Sequence, residues 1–182
     1  VLDLCTGSGV VGSAAARQGA HVTVVDVSRR ALVTAKLNAR LRGCSVAARR
    51  GDLLRAVPDR RFDLITANPP YVPSSSATLP SRGPSRAWAA GRDGRSVLDE
   101  ICDHAAAHLR PGGVLLVVHS SLIGEEQTLR RLRRGGCADA SVVARHTGPL
   151  GPLMREQQAA GAIPADVDHE DLIVVRASTS LP

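Results

Sequence analysis

One stretch near the start limits what this chain can fold into more than any other. Thr6-Gly7-Ser8-Gly9 stands between an apolar run at residues 1–5, which reads as a strand carrying Asp3, and a helical run at residues 10–18 that Gly19 closes. A strand passed through a tight glycine loop into a helix is the opening of a βαβ unit. The pattern repeats at once. Residues 21–25 form a β-branched strand ending in Asp26, and Ser28 caps a helix predicted over about 29–41, stopped by Gly43.

Residues 45–49 supply a third strand with Gly51-Asp52 at its end, 53–57 a short helical turn, and 62–67 a fourth strand. The fourth must stop at Asn68-Pro69-Pro70-Tyr71, because two prolines cannot continue a ladder. Residues 72–95 are rich in Ser, Pro, Gly and Arg without apolar periodicity. A connection of that length reads as a substrate lid or mobile segment, with Trp88 inside it.

Helical spacing resumes at 96–109 and is expected to end at Pro111-Gly112-Gly113, before a strand at 114–118 buried on both faces. Residues 125–134 read as an amphipathic helix with acids first and arginines last, as the helix dipole prefers. Two further strands, 141–145 and 172–176, have no regular crossover between them, only a turn of helix around 154–160, so they can lie antiparallel. The expected architecture is one α/β domain over residues 1–182: a Rossmann-like, doubly wound, mostly parallel seven-stranded sheet with one antiparallel edge strand. The chain opens inside a strand without a Met, which reads as a missing N-terminal flank.

Composition excludes several classes. Apolar residues are 43% of the chain, enough for a core, and aromatics only 2%, so that core is aliphatic. A net charge of +6 admits nucleic acid as a partner. Lys36 is the only lysine, however, and the abundance of Arg and Ala reads as a compositional bias rather than a binding patch. The Arg cluster ending residues 125–134 reads the same way, as a solvated helix end. Cys5, Cys44, Cys102 and Cys137 form no CxxC, as expected of reduced thiols in the cytoplasm. No apolar run approaches the roughly 20 residues that span a bilayer. His104 and His108 are one helical turn apart without a third ligand, so no metal site is expected, and His119 reads as a packed strand-end residue.

Gly7-Ser8-Gly9-Val10-Val11-Gly12 satisfies the dinucleotide pattern GxGxxG, and Asp26 follows about 20 residues on, where it can accept ribose hydroxyls. That pair serves any adenosine cofactor. Asp3 in the first strand, Asp52 at the end of the third and the polar exit of the fourth turn the choice from a nicotinamide toward S-adenosylmethionine. Its ammonium and sulfonium favour a carboxylate such as Asp3, and Asp52 can accept the adenine amino group. The cofactor set expected is Asp3, Thr6, Gly7, Ser8, Gly9, Asp26, Val27, Asp52, Leu53 and Asn68.

The exit itself carries the chemistry. An amide or aryl amine nitrogen is a poor nucleophile because its lone pair is delocalised. If the Asn68 side-chain oxygen and the Pro69 carbonyl each accept one N–H, the lone pair is turned toward the methyl donor and developing positive charge is stabilised. Tyr71 would wall the planar group, making Asn68, Pro69 and Tyr71 the catalytic candidates.

Val1-Leu2-Asp3-Leu4-Cys5-Thr6-Gly7-Ser8-Gly9, Val25-Asp26, Gly51-Asp52 and Asn68-Pro69-Pro70-Tyr71 together resemble a class I methyltransferase, more narrowly a HemK-like glutamine methyltransferase of peptide-chain release factors. Trp88-Ala89-Ala90-Gly91-Arg92-Asp93-Gly94-Arg95 and Leu109-Arg110-Pro111-Gly112-Gly113 are similar to the archaeal and eukaryotic branch. Cys5 departs from the family's first loop glycine, and Ala90 from a usual Gly. The resemblance implies S-adenosylmethionine as cofactor, a protein substrate that is a release factor, and a small activator subunit as a partner of that branch. Other readings stay open: methylation of an adenine or guanine amino group in DNA or RNA, of a protein lysine, or a methyltransferase fold that only binds.

Overall fold

In a computed structural model, which describes residues 1–76, 78–80 and 83–181, the apolar run at the start forms β1 (Leu2–Leu4), buried throughout. It lies parallel to and between β2 (Thr23–Asp26) and β4 (Phe62–Ala67). Outside β2 runs β3 (Ala47–Arg50), and beside β4 runs β5 (Leu109–Ser120), both parallel to their neighbours. The seven-stranded sheet has the order β3-β2-β1-β4-β5-β7-β6. Strand order reverses between β1 and β4, and the crevice outside the strand ends at such a reversal is where ligands bind in open α/β sheets.

The last two strands are β6 (Asp139–Pro149) and β7 (His169–Ser178). β7 is antiparallel to both β5 and β6. The single reversed strand thus slots one place in from the edge, and β6 takes the edge itself.

The helices are α1 (Val10–Arg17), α2 (Arg29–Leu41), α3 (Ser96–His104), α4 (Glu125–Arg134) and α5 (Pro152–Ala159). Ser28 caps α2 as its sequence position implies, accepting the Ala31 N–H at 3.3 Å. Adjacent residues of one strand point to opposite faces, and β2 shows the two cores: Val25 joins Leu98, Ile101, Leu115, Leu132 and Ile173 on one side, Val24 joins Val22, Leu32 and Ala35 on the other. Each large aliphatic side chain so enclosed contributes about 1.5–3 kcal/mol. On the second face, Leu64, Val114, Leu116, Val118 and Val174 are only half-buried.

One local expectation is corrected. Pro111-Gly112-Gly113 does not end a long helix: residues 96–109 divide into α3, a 3-10 turn at Ala105–His108 and the start of β5. Leu109 pairs with Phe62, and the register shifts before Leu64 pairs with Val114. Proline and glycine are tolerated in a strand at such an irregularity. Residues 72–95, expected to be a substrate lid or mobile segment, carry a 3-10 turn at Pro84–Ala87 and are tied together at the base. Val72 N–H donates to the Trp88 carbonyl at 2.9 Å, Ala90 N–H to the Val72 carbonyl at 3.1 Å, and Ser74 N–H to the Gly91 carbonyl at 2.9 Å. The portions of that expected lid at Ala77, Ser81 and Arg82 lie outside the described residues.

Candidate active site

The ends of β1 and β3 both carry backbone that side chains resist. Cys5 (φ 53°) and Leu53 (φ 46°) are the two non-glycine residues with positive φ among the described residues. A left-handed residue costs about 1–2 kcal/mol, and such strain gathers at functional sites. Cys5 occupies the position where a glycine would be unstrained. Burial pushes its thiol far above the usual range, so it is not an available nucleophile. Gly9 (φ 78°) precedes α1, and a Cβ on it would lie 2.7 Å from the Ala35 Cβ of α2. Only glycine lets the loop pass that close beneath α2.

The three expected acids fall into three situations. Asp3 is 2% exposed. Its Oδ2 accepts the Thr6 hydroxyl at 2.6 Å and the Gly12 N–H at 3.1 Å, and its Oδ1 the Thr66 hydroxyl at 2.8 Å. The structure therefore places Asp3 and Thr6 behind the loop, joining β1, α1 and β4, rather than in the crevice. Burial raises the Asp3 pKa even though all three donors pull it down. Asp26 is half-buried at the rim, accepting the Gly7 N–H at 3.0 Å and the Ser28 N–H at 2.8 Å, one on each oxygen. Each oxygen keeps a lone pair for a hydroxyl donor. Asp52 is exposed and makes a loose 3.6 Å pair with Arg55. Between these ends lies a cleft of about 270 Å³ lined by Val27, Arg50, Gly51, Asp52 and Arg86.

At the end of β4, Asn68 is exposed and its side chain makes no hydrogen bond among the described residues. No backbone donor there reaches the Pro69 carbonyl, and Pro70 has no N–H to offer. Tyr71 is half-buried, packed against both the main core and a satellite cluster of Val72, Leu150, Met154 and Ile163, which Trp88 also joins. Burial, then the charge of Glu170, raise its phenol pKa, so the ring is neutral and serves as a wall. Two acceptors without a hydrogen bond among the described residues thus stand at the end of β4, next to the half-buried Tyr71.

The Methyltransferase small domain family matches residues 1–80. A protein named as a protein N5-glutamine methyltransferase of Methanocaldococcus jannaschii is 34% identical over 155 residues, 85% of this chain and 78% of that protein. The chain belongs to the protein glutamine methyltransferases. A release factor glutamine methyltransferase of Gloeobacter violaceus is 40% identical over 148 residues, and the chain spans about half of it, 52%. Among solved structures, that of the E. cuniculi Mtq2–Trm112 complex, responsible for methylation of the eRF1 translation termination factor, matches 98% of the chain and 84% of its own, with TM-score 0.64 and 21% identity. That likeness is one of fold.

Sequence reasoning missed how the methyltransferase holds its 72–95 loop. Arg95 is 2% exposed and donates to the Ile123 carbonyl at 2.6 Å, the Gly124 carbonyl at 3.1 Å, Thr128 at 3.2 Å and Asp99 at 2.7 Å. A Cβ on the preceding Gly94 would lie 2.4 Å from the Tyr71 carbonyl, so the loop's return limb abuts the turn at the end of β4. The signal available in sequence was one Arg among several in a polar segment, indistinguishable from a solvated one. Two of the four α4 arginines are likewise committed within the fold: Arg131 pairs with Asp99 and Asp103, and Arg133 donates to the Ala140 carbonyl. They tie α4 to α3 and β6. No group of three His, Cys, Asp or Glu suited to a metal occurs among the described residues, and no helix there is long and apolar enough to cross a membrane.

His119 is fully buried at the end of β5. Its Nδ1–H donates to the Ser120 carbonyl at 2.8 Å and its Nε2 is unpartnered. Burial lowers its pKa, Arg95 lowers it further, and Glu125 opposes. The folded pKa lies below the unfolded one, about 6.5, so this residue's contribution is present above that pH and lost as pH falls toward the folded pKa. The urea midpoint of the parent is expected to drop more between pH 7.5 and 5.5 than that of His119→Gln; equal drops would remove His119 as the cause.

Proposed function

We propose that this protein transfers a methyl group from S-adenosylmethionine to the side-chain amide nitrogen of a glutamine in a protein, a peptide-chain release factor being the substrate named for its relatives. The observation that carries this reading is the pair of acceptors, Asn68 Oδ1 and the Pro69 carbonyl, that take no hydrogen bond among the described residues, at the end of β4 in the sheet whose β2 and β3 ends line a cleft with Asp52 in its wall.

The cleft suits the cofactor's polar edges. Asp26 would take the ribose hydroxyls and Asp52 the adenine amino group, with Val27 and Leu53 as apolar neighbours and Gly7, Ser8 and Gly9 admitting close backbone approach. Asp3 and Thr6 contribute by holding that loop. When bound, S-adenosylmethionine supplies an electrophilic methyl on a cationic sulfur. Asn68 and Pro69 fix the plane of the acceptor amide by taking its two N–H groups. With the methyl donor in place, the lone pair so oriented would form the N–C bond as the S–C bond breaks, and one N–H proton would pass to water. Tyr71 excludes solvent from one face. Fixing orientation in this way replaces the general base that the amide, far too weak an acid, could not use.

The activator subunit of the eukaryotic relative makes a second polypeptide a candidate requirement for activity here. The test is methylation of a release factor by the full-length protein, alone and with such a subunit, using radiolabelled cofactor and mass mapping. One methyl on one glutamine is expected, lost when that glutamine becomes alanine. Label entering only DNA, RNA or lysine would overturn the assignment.

A further inference from the structure

The loop that follows Tyr71 serves the acceptor side at its base, yet its 3-10 turn lies at the other substrate's cleft. Arg86 lines the cleft with Val27, Arg50, Gly51 and Asp52, the four residues at the ends of β2 and β3. We propose that Arg86 is a cofactor-binding residue, its guanidinium lying on the purine ring, and that the loop thereby couples occupancy of the cofactor and acceptor sites. This rests on the adenosyl reading of the cleft given above.

A purine is a flat ring with two apolar faces and a polar edge. Asp52 suits the edge and Val27 one face, and the planar groups in the lining are the guanidiniums of Arg50 and Arg86. A guanidinium is planar and weakly hydrated, and it stacks on aromatic faces. Arg50 is tied to the end of β2, its Nε donating to the Val27 carbonyl at 3.3 Å, whereas Arg86 comes to the cleft from the loop. Two arginines in one wall would also suit a phosphate, but the exposed Asp52 carboxylate in that wall opposes an anion.

The coupling follows from hydrogen bonds around the turn. Trp88 N–H and Ala89 N–H donate to the Ser85 carbonyl at 3.1 and 2.8 Å, fixing the Arg86 turn to the limb that pairs with Val72, next to Tyr71. Trp88 also packs in the Tyr71 cluster. A ligand that orders Arg86 therefore orders the acceptor wall, and the effect must be reciprocal in binding.

The experiment is calorimetry of S-adenosylhomocysteine and of 5′-methylthioadenosine, which share the purine, on the full-length parent, Arg86→Gln and Arg86→Lys. Arg86→Gln is expected to weaken both by the same factor, about tenfold, and Arg86→Lys by less. Ligand-free Tm, measured for each variant, separates a change in binding from a folding defect. In turnover, the acceptor KM of Arg86→Gln should rise when cofactor is subsaturating and recover when it saturates. A parent that binds both nucleosides beside an Arg86→Gln that binds them equally well overturns the role of Arg86 alone. A parent that binds neither overturns the adenosyl reading and this inference with it. An acceptor KM indifferent to cofactor level overturns the coupling.

Discussion

Replacing Asn68 by alanine is expected to lower kcat about 100- to 1,000-fold, the range found when one preorganised group at a reacting centre is removed. The affinity for S-adenosylhomocysteine should stay within about threefold, on the order of one contact at the edge of a site. The two effects would separate because, in the proposed mechanism, Asn68 acts on the acceptor. Its oxygen is there one of two that take the amide hydrogens, and the other, of Pro69, is a backbone atom that no substitution removes. Without Asn68 the amide can rotate about its remaining hydrogen bond, and the lone pair leaves the line of attack. Stability should not follow, since the side chain is exposed and makes no hydrogen bond among the described residues. Asn68→Asp keeps an acceptor oxygen in place and should fall between the two. Single-turnover kinetics with equal unfolding midpoints is the measurement. An Asn68→Ala protein with parental kcat would remove the strand-end amide from the mechanism.

What the sequence disclosed and what it hid follow a physical rule. Elements whose signal is local were readable: β4 at Phe62–Ala67 and α4 at Glu125–Arg134 have the expected bounds, because prolines end one and a glycine follows the other. The Ser28 cap and the strand-helix alternation belong to the same class. Contacts set by distant segments were not readable. Nothing in the spacing of Leu150, Met154 and Ile163 says that they meet Val72 and Trp88 beside Tyr71. Nor does a polar stretch announce that Arg95 is buried while Arg86, nine positions earlier, reaches the ends of β2 and β3. The carboxylate of Asp3 is the sharpest case. Its place in a strand ahead of a glycine loop was legible, but the direction it faces depends on Thr66 of another strand.

That direction makes Asp3 the second site of large expected effect, and two substitutions separate structural support from cofactor contact. Asp3→Ala leaves the buried Gly12 N–H without an acceptor and two hydroxyls without a partner, at a cost of about 2–4 kcal/mol. Asp3→Asn can keep its oxygen where Oδ2 accepts Gly12, and its amide can donate to the Thr66 hydroxyl, which has the Leu2 carbonyl at 3.5 Å as a weak alternative acceptor for its own proton. It should therefore retain most of the stability. If Asp3 acted through its charge on the cationic sulfur, Asp3→Asn would weaken S-adenosylmethionine more than the uncharged-sulfur product. Held by the loop instead, both ligands should shift by the same factor. The pH dependence gives an independent reading. The folded pKa of Asp3 is raised, so its contribution is present in full below the unfolded value of 3.8 and is lost as pH rises through the folded pKa. Between pH 7 and 4.5 the parent should gain urea stability relative to Asp3→Asn, which has nothing to titrate at that site. A parent that loses ground to Asp3→Asn over that range would mean that the three donors outweigh burial and that the carboxylate is ionised at a net gain.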